Sequence, residues 1–108
     1  MSWVPCPYLA DLVELTEERE EHILEEHPDL LPRYCGQLLQ TVANPDEVRK
    51  DARYGATRLF SRWFDEVEGG KFIVVAIVSQ PPPAKRDWVL TAYIARRLGR
   101  RVIEWKRG

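Results

Sequence analysis

His22 and His27 are the only histidines of the chain, and arginines recur among aromatic and strand-like residues further on: Arg58, Arg62, Arg96, Arg97, Arg100 and Arg101. Imidazole carries protons near neutral pH and guanidinium grips phosphoryl oxygens, so this set offers acid–base chemistry at a phosphate without a metal ion. The histidines are five positions apart, about 140° around a helix, which does not suit joint chelation of one metal. His27 falls at a helix C-terminal end, where the dipole favours positive charge, a setting for a general acid or a phosphate contact. Each histidine could equally be a packing or capping group, with Glu18, Glu21, Glu25 and Glu26 nearby in sequence. Strand alternation puts Arg58, Phe60 and Arg62 on one face of a strand, and Val89, Thr91 and Tyr93 on one face of another. Two arginines, a hydroxyl and a phenol then have the option of sharing a surface. The alternative is that the arginines pair with carboxylates and Thr91 and Tyr93 simply suit strands.

The elements that position these residues follow from local signals. A short strand over 12–15 leads to Thr16, a good N-cap, with Glu17 and Glu18 in the first turn, where the helix dipole favours negative charge. This helix ends near His27, because Pro28 disfavours helical backbone at the residue before it. Leu31, Tyr34, Cys35, Leu38, Leu39 and Val42 repeat with the spacing of one buried helix face, and Asn44-Pro45 stops that second helix. Strands are expected over 48–53, 57–64, 71–79, 88–95 and near 101–105, with Gly69-Gly70 turning a hairpin. Two helices followed by strands predict an α+β domain over 12–108, with the helices on one face of a four- to five-stranded antiparallel sheet. An extended arm over 1–11, held open by Pro5 and Pro7, precedes it.

Charge is sorted by position. The first 48 residues carry two basic side chains, Arg19 and Arg33, against eleven acidic ones, a balance of −9; the last 60 carry fourteen against six, or +8. The overall charge of −1 hides this asymmetry. An acidic helical part and a basic sheet point to a surface that faces a polyanion, although blocks of like charge also arise as solvated faces. Cys6 and Cys35 have neither the number nor the spacing of a disulfide framework or a zinc site and read as reduced thiols. No apolar run approaches the roughly 20 residues of a membrane span and the start lacks a signal-peptide pattern, so a cytoplasmic location is expected.

An ordered series of short elements carries a family resemblance. Thr16-Glu17-Glu18-Arg19, His22-Ile23, His27-Pro28-Asp29, Asn44-Pro45-Asp46 with Val48, Arg58-Leu59-Phe60 with Arg62-Trp63, Gly70-Lys71-Phe72-Ile73-Val74-Val75 and Leu90-Thr91-Ala92-Tyr93 resemble the phage-associated branch of the barnase, EndoU, colicin-nuclease and RelE-like superfamily. The resemblance spans about Leu12 to Trp105. It implies helices packed on an antiparallel sheet and a toxin-like, metal-independent endoribonuclease that uses a ribose 2′-hydroxyl as nucleophile. The family pattern falls on His22, His27, Arg58, Arg62 and Thr91 as catalytic residues. Tyr93, Trp63, Arg96, Arg97 and Lys71 are then expected to contact RNA, the aromatics by stacking on bases. No cofactor and no metal ion is expected. RNA is the expected partner, with a protein inhibitor or a second copy compatible with the charge pattern. A catalytically inactive RNA- or protein-binding module of the same fold is the alternative, favoured by Glu20 and Ala95 where family members often carry Trp and Thr or Lys.

Overall fold

Hydrophobic periodicity alternates between helix and strand along the chain, and the backbone follows it. A computed structural model describes residues 2–51, 55–99 and 102–108. Among the described residues there are seven strands and two α-helices: β1 (Ser2–Cys6), β2 (Asp11–Leu15), α1 (Glu17–Glu26), α2 (Cys35–Ala43), β3 (Glu47–Lys50), β4 (Thr57–Phe64), β5 (Lys71–Gln80), β6 (Arg86–Ala95) and β7 (Val102–Lys106), with one 3₁₀ turn at Pro7–Leu9. The Thr16 hydroxyl caps α1 by accepting from the Arg19 N–H at 3.2 Å, and the helix closes at His27 ahead of Pro28. Helix α2 closes at Asn44 before Pro45. Arg53, Arg100 and Arg101 lie outside the described residues.

All the strands join one sheet in the order β1-β2-β6-β5-β4-β3-β7. The α+β class is as expected, but the sheet is larger than four or five strands and it is mixed, because β2 runs parallel to β6 where Glu14 meets Trp88. The expected N-terminal arm contributes to this difference: Ser2–Cys6 pairs antiparallel with β2 as an edge strand. An edge tolerates Pro5, whose missing N–H would break an interior ladder. The hairpin turn before β5 falls at Gly69 and Gly70, both at positive φ.

One face of the sheet is covered by helices. Helix α2 packs across β1, β4 and β5, and α1 packs along β6 where β2 no longer flanks it. Ile23, Leu30, Leu38 and Val42 bury their side chains there against Val13, Phe60, Ile73, Val75, Ile77 and Val89. Complete burial stabilises each such side chain by roughly 1.5–3 kcal/mol relative to exposure, so the middle of this face is the core of the protein. No helix of the described residues is long and apolar enough to cross a membrane.

Candidate functional site

Strand register separates the residues that sequence alternation left free to meet. Arg58, Phe60 and Arg62 lie opposite Ile77, Val75 and Ile73, the core side chains, so both arginines belong to the helix-covered face. Thr91 and Tyr93 lie opposite Ala76 and Val74 and belong to the other face. The expectation that Val89 accompanies Thr91 and Tyr93 is also corrected. The register shifts between Ala76 and Ile77, leaving Leu90 without a counterpart, and this bulge sends Val89 into the core while its neighbours face away.

Arg58 and Arg62 are held by the fold. Arg58 Nε donates to Glu104 Oε2 at 2.8 Å and Nη1 to Ser79 Oγ at 3.4 Å, while the Tyr8 hydroxyl donates a short hydrogen bond to the same Glu104 oxygen. Burial raises the Glu104 carboxyl, and the bonds from Tyr8 and Arg58 outweigh that effect, so it sits below its ordinary value. The Tyr8 phenol is pushed up to about 12 by burial, by its bond to Glu104 and by that carboxylate's charge. Arg62 donates to the Asn44 carbonyl at 2.8 Å, at the end of α2, and lies over the Phe64 ring. Lys71 donates to the Glu68 carbonyl at 2.8 Å and closes the β4–β5 turn.

The helix-free face carries a groove of about 510 Å³. Among the described residues, five basic ones line it: Arg49, Arg96, Arg97, Lys106 and Arg107. Its two carboxylates are already engaged. Glu47 receives Arg49 Nε at 2.8 Å and faces Lys106 at 3.9 Å, and Asp46 faces Arg107 at 3.6 Å and accepts the Trp63 N–H at 2.9 Å. Arg96 and Arg97 are exposed and, among the described residues, have no hydrogen-bond or ion-pair partner. The chain after β6 turns back over this face, where Arg49 Nη1 donates to the Gly99 carbonyl. Beneath it lies a smaller cavity of about 70 Å³, bordered by Ser61, Val74, Tyr93, Arg97 and Leu98 among others.

Two buried hydroxyls on this face, Ser61 Oγ and Thr91 Oγ1, have no hydrogen-bond partner among the described residues. Buried polar atoms are nearly always satisfied, so these two oxygens take partners from water or from a ligand on this face. At its β6 margin stands His27, whose ring centroid is 6.1 Å from that of Tyr93. Trp63 shares the face, 42% exposed, with its indole N–H donating to Asp65 at 2.7 Å and its ring edge-on to Phe72. His22 is half-buried on α1 and is not joined to any of these groups.

The expected residues thus divide in two. His27, Thr91, Tyr93, Trp63, Arg96 and Arg97 lie on or beside the helix-free face, whereas Arg58 and Arg62 belong to the other face and Lys71 to a turn. Sequence reasoning missed Arg49 and Ser61. Arg49 had a signal, since Glu47 and Arg49 flank the core residue Val48 and so must share the opposite face. Ser61 had none. No family model matches the chain, and no curated protein and no solved structure matches it either.

Proposed function

We propose that the protein is a metal-independent endoribonuclease that binds single-stranded RNA along the helix-free face of its sheet. The observation that carries this reading is the contact of His27 with Tyr93, which borders the same small cavity as the exposed Arg97 on the helix-free face. In such a reaction the ribose 2′-oxygen loses its proton to a base and attacks the adjacent phosphorus. The bond to the 5′-oxygen breaks, an acid protonates that oxygen, and a 2′,3′-cyclic phosphate remains. His27 is the proton carrier and the guanidiniums of Arg96 and Arg97 stabilise the charge on the phosphoryl oxygens. Arg58 and Arg62 are assigned to stability, in place of the phosphate role that the family resemblance implies for them. His22 has no role in this scheme.

Cleavage of a fluorogenic RNA in excess EDTA, with identification of the product ends, tests the reading. Activity should persist, leave a cyclic phosphate and vanish when the ribose at the cleaved position lacks its 2′-hydroxyl. His27→Ala should lower the rate about 10²- to 10⁴-fold with little change in RNA affinity, the usual size of a general acid–base contribution. Full activity in that variant contradicts the proposed role. A second reading, a binding module on the same face without chemistry, is favoured by the engagement of Arg58 and Arg62 with Glu104 and Asn44. Salt-sensitive RNA binding with no cleavage of any substrate would select it.

A further inference from the structure

We infer that the small cavity under the Arg97–Gly99 segment is a pocket for a terminal phosphate, so that the preferred ligand is a nucleotide or an RNA end that carries a phosphomonoester. The inference rests on the reading of the helix-free face as the RNA-facing one and adds which part of an RNA it grips.

Ser61 begins the case. The residue is 2% exposed, it borders both the small cavity and the larger groove, and its hydroxyl has no partner. A buried hydroxyl in that position takes its acceptor oxygen from water or from a ligand. The adjoining groups favour an anionic one. Arg97 borders the same cavity without an ion pair, and Arg49 sits beside it with its guanidinium fixed between Glu47 and the Gly99 carbonyl. Glu47 and Asp46 do not reverse the sign, since each already faces a cation and, among the described residues, the groove holds five basic ones to two acidic ones. Phosphate oxygens matched to a guanidinium and a hydroxyl make charge-assisted hydrogen bonds, which are stronger than neutral ones.

Size and shape select a chain end over a chain interior. A volume of about 70 Å³ corresponds to roughly two water molecules, which suits one tetrahedral oxyanion. An internal phosphodiester continues in two directions and needs two exits. Leu59, Val74, Leu98 and Gly99 line the cavity, and the larger groove, which shares Arg49, Ser61, Arg97 and Leu98 with it, adjoins it. A monoester needs only one exit, and the adjoining groove supplies it. Its sugar and base would then lie in the groove of about 510 Å³, where Phe72 offers an aromatic wall.

The test is competition binding, read by fluorescence anisotropy, with single-stranded RNA of one sequence bearing a 5′-phosphate, a 3′-phosphate or only hydroxyl ends. Free nucleoside monophosphate, the nucleoside and inorganic phosphate form separate arms. One phosphorylated end should bind at least about tenfold more tightly than the hydroxyl-ended RNA. Ser61→Ala should shrink that ratio to within about twofold. Arg97→Gln, at an exposed position that does not disturb the core, should shrink it as well. Displacement by a nucleoside monophosphate but not by the nucleoside supports the same pocket and identifies the free nucleotide as a sufficient source. Equal binding of all three RNAs overturns the inference and leaves the RNA-binding reading standing. Failure of every RNA to bind overturns that reading, and the nucleotide arm then decides the pocket by itself.

Discussion

Replacing Arg96 and Arg97 together by Gln should change the salt dependence of RNA binding, whereas replacing Arg58 and Arg62 together should not. A protein that neutralises Z phosphates of a single strand shows a slope of log affinity against log salt of about −0.7Z. Arg96 and Arg97 have no ion-pair partner among the described residues, and Arg49, Lys106 and Arg107 each already face a carboxylate, so Z lies between about two and about five and the slope between about −1.4 and −3.5. Between about 50 and 200 mM salt, affinity should therefore fall by roughly 7-fold to 130-fold. Arg96→Gln with Arg97→Gln should flatten the slope by about 1.4. Arg58→Gln with Arg62→Gln should keep it, because their guanidiniums are bound to Glu104 and to the Asn44 carbonyl on the opposite face. Anisotropy of a labelled single strand of about 12 nucleotides, titrated at several KCl concentrations with each protein checked by thermal melting, reads both slopes. A larger loss of slope from the Arg58 and Arg62 pair would refute the assignment of faces.

Three other outcomes probe the fold that supports the site. Glu104→Gln should destabilise by about 1–3 kcal/mol, because Arg58 and Tyr8 lose the charged acceptor they share. With its pKa depressed in the folded state, Glu104 contributes stability above its ordinary value of 4.5 that is lost as pH falls, so acid melting curves of the variant should be flatter than those of the parent. Tyr8 works in the opposite limb: its pKa rises from 10.0 to about 12, so its contribution is present below pH 10.0 and is lost as pH rises, and Tyr8→Phe should flatten the alkaline melting curve. Gly70→Ala should cost about 1–3 kcal/mol beyond Gly69→Ala, since both sit at positive φ but only at Gly70 would a Cβ meet Trp63, at 2.8 Å, and the difference between their chemical-denaturation midpoints isolates that clash.

The elements were legible because each carried its own local signal. Thr16 before an acidic turn, His27 before Pro28 and Asn44-Pro45 mark helix ends by chemistry that acts within a few residues, and the structure has caps at those positions. Strand β4 occupies the expected 57–64. The faces were less legible. In β4 both alternating sets contain large apolar groups, Phe60 and Phe64 on one side and Leu59 and Trp63 on the other, so period alone cannot say which side meets the helices. Three-dimensional register decides that, together with a bulge at Leu90 that no residue type announces. Likewise, Pro5 and Pro7 read as an open arm, and only pairing with β2 reveals an edge strand. The site suffered most from this, because Arg58 and Arg62 recur at strand spacing like phosphate-binding residues while being held by groups far away in sequence.

Amide chemical-shift mapping with a short single-stranded RNA tests most directly the claim that the helix-free face is the working surface. Shifts should concentrate at Arg49, Ser61, Val74, Tyr93, Arg96 and Arg97, with a smaller response at His27, and should be minimal along the exposed acidic side of α1. A response centred on Arg58, Arg62 and the end of α2, with Ser61 and Tyr93 unmoved, would contradict it.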